Sequence, residues 1–321
     1  MPVKAKRLLD APIIWPNMDS RMGDNINGPS IIRVPDWVEN PLGRYYLYFA
    51  DHMGRYIRMA YADEVLGPWK MYVPGILDVA DSLFVSTDPP EPPLSERPDW
   101  AIGLEGGYLY AHIASPDVHV DDKNTRIRMY YHGLLPNGDQ QTRIAYSKDG
   151  LVFTPRSPLL GPPYFRAFSY DNRVYAISWA GVFLRSTSWD GPFEVGPILP
   201  DIKTPNQPNR TIRHAEAHIK GEILHIFFSC IDDCPERIFH SQIVLSPDWQ
   251  SWKASEPKLV LEPELTWEGG DMPLVRSKVG ASHARQRSLR DPCVFEDEGK
   301  TYLFFCGAAE NGGIGVAELY F

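Results

Sequence analysis

GPSIIRV (28–34), GRYYLYFA (43–50), YIRMAYA (56–62) and GPWKMY (67–72) follow one another in the first quarter of the chain. The second segment is an apolar run rich in aromatic residues, a pattern typical of strands buried between stacked sheets. Gly, Pro and Asp residues separate the segments and supply the turns. Residues 28–72 are therefore predicted to form four short antiparallel strands.

The same order of segments recurs along the chain, without literal sequence repetition. Each unit has a strand, a turn, an aromatic-rich strand, a loop, a third strand and an outer strand. The five units span residues 28–72, 114–155, 164–197, 212–255 and 289–321. Repeated four-stranded units predict an all-β fold, a five-bladed β-propeller forming a single domain over residues 1–321.

The fifth unit ends after its third strand, which would leave an open sheet edge. The short apolar segment APIIW (11–15) is predicted to close the ring as the outermost strand of this last blade. Two further stretches, 73–113 and 256–288, lie outside the repeat. Connections of this length within a compact domain are usually functional or disordered, and we expect these to wall a pocket on one face.

Composition excludes several classes of function. The 321 residues carry a formal net charge of -9, which disfavours non-specific binding to nucleic acid. The N-terminus MPVKAKRLLDAPIIW has no apolar run long enough for a signal peptide, and no segment is long enough to span a membrane, so a cytoplasmic protein is expected. The 4 Cys, including Cys230 and Cys234, are expected to be reduced, and no zinc-binding spacing is present.

Candidate chemistry lies where the blades converge. In a propeller, the starts of the inner strands and the loops between strands two and three meet at one face. Ser115-Pro116-Asp117 begins the second unit, and His214-Ala215-Glu216-Ala217 begins the fourth. An otherwise apolar strand start makes a buried Glu216 costly without a functional reason, although an ion pair with Arg213 or another arginine is the structural alternative. For Asp117 the alternative is a capping role in a turn.

These segments resemble the blade starts of glycoside hydrolase family 43, whose second and fourth blades begin with Ala-Pro-Asp and Glu-Ala/Gly-Pro runs. The resemblance implies that Glu216 is the general acid and that Asp117 tunes its neighbour. The first blade of that family begins with Asp-Pro, and its Asp is the general base. This chain has Gly28-Pro29 there. Asp24, with Asp19 beside it, and Asp291 of the Arg290-Asp291-Pro292 run are the alternative bases.

Further residues are candidates for contacting a substrate. The related family 117 places a histidine in the acid role, which makes His214, His218 and His283 candidates. His52, His132 and Trp179 occupy equivalent loops after the second strands of three blades. A tryptophan at a pocket rim stacks on sugar rings, although a position between blades is an equal alternative for Trp179. Arg290, with Arg285 and Arg287, is a candidate anion clamp, or else part of a solvated basic surface.

The sequence thus predicts an exo-acting, inverting glycoside hydrolase with an oligosaccharide or glycoside as substrate and no cofactor. A phosphorylase of the family 130 type, which needs no base, and a non-catalytic sugar-binding propeller are the alternatives. Some relatives hold a calcium or sodium ion in the channel, but no calcium-loop motif is present in this sequence and no metal ligand is predicted. The sugar, its linkage and the oligomeric state stay open.

Overall fold

The computed structural model describes residues 3–97, 108–199, 211–280 and 282–321. In chain order the strands are β1 Lys4–Arg7, β2 Ile26–Arg33, β3 Tyr45–Asp51, β4 Tyr56–Ala62, β5 Lys70–Met71, β6 Leu77–Asp78, β7 Ile113–Asp121, β8 Arg126–Leu134, β9 Gln140–Ser147, β10 Thr154–Pro155, β11 Arg166–Tyr170, β12 Arg173–Ser178, β13 Val182–Ser186, β14 Glu194–Ile198, β15 Ile212–Lys220, β16 Ile223–Cys230, β17 Ile238–Val244, β18 Lys258–Leu261, β19 Arg285–Asp297, β20 Lys300–Ala309 and β21 Gly313–Tyr320. Short 3-10 helices are formed by Val79–Asp81, Leu94–Glu96, Asp122–Asn124, Trp179–Gly181, Trp249–Ser251 and Thr266–Glu268. None of the described helices is long and apolar enough to cross a membrane.

The strands form five antiparallel sheets, which are the five blades of a propeller and confirm the predicted fold. Their strand orders, written from the inner strand outward, are β2-β3-β4-β5, β7-β8-β9-β10, β11-β12-β13-β14, β15-β16-β17-β18 and β19-β20-β21-β1. In addition, β6 pairs with β4 of the first blade. Because each blade meanders outward, its inner strand begins at one end of the central channel, the upper end, and finishes at the other, the lower end.

The N-terminus closes the last blade, but with other residues than predicted. Lys4–Arg7 pairs with β21 in the register Lys4↔Tyr320 to Arg7↔Ala317. The predicted closing segment 11–15 makes only the isolated bridge Ile14↔Ile314. An outer edge strand has one solvated face, so the alternating polar sequence KAKR fits that position. The apolar Ile13 and Ile14 are instead buried in the core between blades five and one.

The core lies between neighbouring blades. Tyr48 and Ile57 of the first blade pack in one cluster with Ile127 and Met129 of the second. Burying a side chain of this size contributes roughly 1.5–3 kcal/mol, so each blade is stabilised on both faces. This explains why the second strands read as continuous apolar runs.

Three inner strands are interrupted near their upper ends by a β-bulge that ends in proline. Register shifts occur between Asn27 and Ser30, between Ala114 and Asp117 and between Arg290 and Cys293. The residue before each proline has a positive φ: 61° at Gly28, 49° at Ser115 and 52° at Asp291. A bulge re-aims neighbouring groups. The three bulges therefore determine which backbone and side-chain groups point into the channel.

Candidate functional site

Two separate cavities lie along the channel, where the sequence predicts one pocket at the upper end. The upper cavity, of about 40 Å³, is lined by His52, His132, His214 and Tyr164 among others. The lower cavity, of about 360 Å³, is lined by residues farther along the inner strands, including Asp117 and Glu216. The predicted acid and its predicted neighbour thus share one cavity, while most of the predicted upper-end contacts line the other.

Arg166, the first residue of β11, lies between the two carboxylates. Its Nε is 3.2 Å from Glu216 Oε2, and its Nη1 is 3.9 Å from Asp117 Oδ1. The Arg166 side chain is only 7% exposed, so its charge requires these partners. The sequence pattern does not single out Arg166, because an arginine at a strand start is ordinarily a surface residue.

Glu216 has the properties of a proton donor. Burial raises the pKa of Glu216, Arg166 lowers it and the nearby Asp117 raises it, which leaves the pKa at about 8. The carboxyl group therefore keeps its proton at neutral pH. A general acid needs a pKa near the working pH, and burial is a common way to reach it.

Asp117 is held ionised in the same cavity. Burial alone would raise its pKa, but His119, Arg166 and the Ala167 N–H together hold the pKa of Asp117 below its ordinary value. Its Oδ2 lies 2.8 Å from His119 Nε2 and accepts a hydrogen bond from Ala167 N, also at 2.8 Å. Oppositely displaced pKa values of two neighbouring carboxyl groups are typical of an acid–base pair.

The buried proton on Glu216 predicts a pH-dependent contribution to stability. In the unfolded chain the group ionises near its ordinary value of 4.5, whereas in the folded chain it keeps its proton up to about 8. The stability from this group is therefore fully present below pH 4.5 and is lost as pH rises through 8. The loss is on the order of 5 kcal/mol at most.

Urea unfolding of wild type and Glu216→Gln at several pH values checks this expectation. Gln does not titrate, so the variant should gain free energy of unfolding relative to wild type as pH rises. The exposed turn residue Glu222 provides the matched control, Glu222→Gln, which should follow wild type. A constant difference between Glu216→Gln and wild type across this pH range would show that Glu216 is ionised in the folded protein.

The walls of the lower cavity include an aromatic residue that the sequence pattern assigns only to a turn. Trp189, in the Trp-Asp-Gly-Pro turn after β13, lines this cavity beside His119 and His218. Its ring centroid is 5.5 Å from that of His119, and the Arg128 guanidinium carbon lies 4.2 Å from the indole centroid. The loop after a third strand reaches the lower end, whereas the sequence predicts the site at the upper end.

Trp179, the predicted stacking residue, lies at the other end. It begins a 3-10 helix after β12, at the upper end of the third blade, and is 39% exposed. Trp189, and not Trp179, lines the lower cavity.

Histidines from several blades surround the upper cavity. His52, His132 and His214 all line it, together with His112, which precedes β7. Burial lowers the pKa of His52 to about 3 and holds the pKa values of His132 and His214 well below the ordinary range. These imidazoles are neutral at physiological pH. Among the residues that the structure describes, Nδ1 of His132 has no hydrogen-bond partner.

Asp291, one of the predicted bases, belongs to the upper level of the channel. His214 Nδ1 lies 3.0 Å from Asp291 Oδ1, and the carboxylate accepts a hydrogen bond from the backbone N–H of Gly28. Burial raises the pKa of Asp291 to about 6. Asp291 therefore contacts the backbone at Gly28, the position at which family 43 has its general base. Asp291 does not line the lower cavity, which contains Glu216.

The absence of an acid at position 28 has a steric cause. A Cβ atom at Gly28 would lie 2.9 Å from Ser115 Cα, and φ there is +61°. We expect Gly28→Asp to destabilise the protein by about 1–3 kcal/mol rather than to supply a base. Gly221→Asp is the matched control, since φ is +62° and no atom lies within 4 Å of the added Cβ. Equal midpoints of thermal unfolding for the two variants would contradict this explanation.

Two other predicted residues lie in a third recess on the upper surface. Asp24 and His283 line it together with Asp51, His52 and Glu310. Burial raises the pKa of Asp51 to about 6, helped by Glu310 and Asp24. The prediction that Asp24 reaches over to act with Glu216 is not supported, because the two residues line different cavities.

Two nitrogens of the Arg290 guanidinium bond within the protein, whereas its Nη1 has no hydrogen-bond partner among the described residues. Its Nε donates to Glu236 Oε2 at 2.8 Å, and Nη2 donates to Gln286 Oε1 at 2.9 Å. Arg285 pairs with Asp271, and Arg287 donates to the Pro263 carbonyl. The three arginines thus have separate partners and do not converge into the predicted anion clamp. Among the described residues, no group of three or more His, Cys, Asp or Glu side chains is arranged to hold a metal ion.

The fold is shared with solved glycoside hydrolases. A β-xylosidase/α-arabinofuranosidase of family 43 from a compost microbial metagenome, solved with xylotriose, aligns with a TM-score of 0.60 over 98% of this chain and 94% of that chain, at 12% identity. An endo-arabinase from Bacteroides thetaiotaomicron aligns with a TM-score of 0.59 over 97% of each chain, also at 12% identity. The architecture is that of the five-bladed propellers of family 43, while the resemblance to family 117 stays a prediction.

One relative identifies the immediate family. The uncharacterized protein R118 of Acanthamoeba polyphaga mimivirus is 32% identical over 310 residues, which are 91% of this chain and 83% of the viral protein. The chain belongs to the same protein family as R118. No family model matches the chain.

Proposed function

We propose that this protein is an inverting glycoside hydrolase that acts in the lower cavity, with Glu216 as general acid and Asp117 as general base. The observation that carries the proposal is the opposite displacement of the Glu216 and Asp117 pKa values around the single Arg166 guanidinium. Structural neighbours that act on xylosides and arabinans add support at the level of fold. The assignment of Asp117 as base replaces the tuning role that its sequence motif implies.

In the proposed mechanism each of the two carboxyl groups carries out one step of the hydrolysis. Glu216 donates its proton to the departing glycosidic oxygen. Asp117 Oδ2 is occupied by His119 and Ala167, and Oδ1, which faces Arg166 Nη1 at 3.9 Å, accepts a proton from the attacking water. Water attacks the anomeric carbon as the bond to the leaving oxygen breaks, and the product anomer is inverted. Inverting enzymes hold their two carboxyl groups about 6.5–9.5 Å apart to admit that water.

The shape and charge of the lower cavity favour an uncharged chain end. Among the described residues, none lines both the upper and the lower cavity, so the two cavities are separate. A cavity that does not continue along the whole channel suits exo action. Asp117 already balances the charge of Arg166. Arg166 therefore does not favour a substrate that carries a carboxylate or a sulfate. Trp189 offers an apolar face on which a sugar ring can stack.

The test is sugar release in phosphate-free buffer from 4-nitrophenyl glycosides of neutral pentoses and hexoses, from 4-nitrophenyl glucuronide and from xylotriose. The proposal predicts turnover of a neutral glycoside, unchanged by added phosphate, and no turnover of the glucuronide. A requirement for phosphate would instead indicate a phosphorylase, and sugar binding without any release would indicate a non-catalytic protein.

The pH profile of kcat/KM should be bell-shaped on the substrate that is turned over. Glu216 must be protonated, so activity should fall as pH rises through about 8. Asp117 must be ionised, and because its pKa is lowered, the acid limb should lie below the ordinary range for an aspartate. A profile whose alkaline limb begins near the ordinary glutamate value of 4.5 would show that Glu216 is not the acid.

A further inference from the structure

Arg166 connects four blades at the centre of the channel. Besides approaching Glu216 of the fourth blade, Nη1 donates to the Pro116 carbonyl of the second at 2.8 Å, and Nη2 donates to the Pro29 carbonyl of the first at 3.4 Å. Both carbonyls belong to the bulges that place a positive φ at Ser115 and Gly28. The repeated X-Pro bulge thus supplies backbone acceptors for a guanidinium that comes from the third blade.

A guanidinium is suited to this position and an ammonium is not. Its planar fork directs several N–H groups toward partners on different sides at once, whereas a lysine offers one compact charge. Arg166 Nε faces Glu216, while Nη1 and Nη2 donate to the carbonyls of Pro116 and Pro29. The guanidinium therefore matches its partners in direction as well as in charge.

We propose that Arg166 is the positioning residue of the lower cavity, fixing Asp117 and Glu216 relative to each other. This inference rests on the proposed function. Arg166 acts through the two carboxyl groups and is not itself a proton donor or acceptor in the reaction. Its separate hydrogen bonds to Pro29 and Pro116 hold it in place when Glu216 is neutral.

Several charged and titratable groups surround Arg166 and would contribute to any titration measured there. Arg166 interacts with Asp117 and Glu216, and also with Asp291 and Cys293 of β19. The lower cavity adds His119 and His218 as neighbours of Glu216. Loss of the Arg166 charge should raise the pKa of Glu216, because Arg166 is the largest influence that lowers it.

Two variants of the full chain separate charge from geometry. Arg166→Lys keeps the charge but cannot bond Pro29, Pro116 and Glu216 together, so kcat should fall about 100-fold with the Glu216 titration near that of wild type. Arg166→Gln removes the charge, so it should lower kcat and also move the Glu216 titration to higher pH. The titration is followed by carbon-13 NMR of glutamate-labelled protein without substrate, with the signal assigned by its loss in Glu216→Gln.

Arg58→Lys is the matched control, since Arg58 is 2% exposed and also donates to backbone carbonyls, in the first blade. It should keep wild-type kcat. Full activity of Arg166→Lys, or an unmoved Glu216 titration in a folded Arg166→Gln, would overturn the inference. If Arg166→Gln does not fold, Arg166→Lys still decides by its kcat. Wild-type activity of Glu216→Gln would refute the proposed function while leaving the titration of Arg166→Gln interpretable on its own.

Discussion

Glu216→Gln is expected to lower kcat on xylotriose, or on the neutral oligosaccharide that the screen identifies, by about 10²–10⁴-fold. Glutamine preserves the size of the side chain but has no proton to give to the leaving oxygen. The loss should depend on the leaving group. A 4-nitrophenolate departs without protonation, so the matching 4-nitrophenyl glycoside should lose much less activity than the oligosaccharide.

The comparison of the two leaving groups shows which step of the reaction Glu216 serves, and not only whether the residue is needed. Glu222→Gln, in the exposed turn of the same blade, should leave both rates unchanged. An equal loss on the two substrates would mean that Glu216 serves the attacking water or the binding of sugar. No loss on either substrate would remove Glu216 from the mechanism.

Asp117→Asn should lower kcat by a similar factor, about 10²–10⁴, but equally for both leaving groups. Water attack is needed whichever group departs, and an amide cannot accept the proton from that water. The amide also removes the charge that pairs with Arg166 and His119. Thermal unfolding should accompany the kinetics, because leaving a buried charge without its partner destabilises a protein.

Asp171→Asn provides the matched change at an exposed turn where φ is 48°, a conformation that Asn also tolerates. It should keep wild-type turnover. If Asp117→Asn were to keep activity on the oligosaccharide, the base would have to be sought elsewhere, with Asp291 of the upper level as the next candidate.

The blade pattern can be predicted from the sequence because it rests on local signals. Apolar second strands and Gly/Pro turns repeat at each blade, and the predicted units coincide closely with the observed sheets. The prediction of the closing strand is wrong because KAKR is polar, whereas APIIW has the apolar character expected of a strand. In the structure the apolar residues Ile13 and Ile14 of this segment pack into the core and do not form a paired strand.

Part of the site can also be predicted. Asp117 and Glu216 are identifiable by their positions at two blade starts, and they do line one cavity. Arg166 escapes prediction because its partners are carbonyl groups and carboxylates contributed by other blades. No pattern in the sequence near β11 indicates such distant acceptors.

The central claim is that chemistry takes place in the lower cavity and not among the upper histidines, and a pair of blocking variants tests it most directly. Ser169 lines the lower cavity and Gln140 lines the upper one, and neither has a role in the proposed chemistry. The measurement is kcat/KM of Ser169→Trp and Gln140→Trp on the neutral glycoside that wild type hydrolyses. Loss of activity in Ser169→Trp with wild-type activity in Gln140→Trp is the predicted result. The reverse would place the active site in the upper cavity and contradict the proposed roles of Glu216 and Asp117.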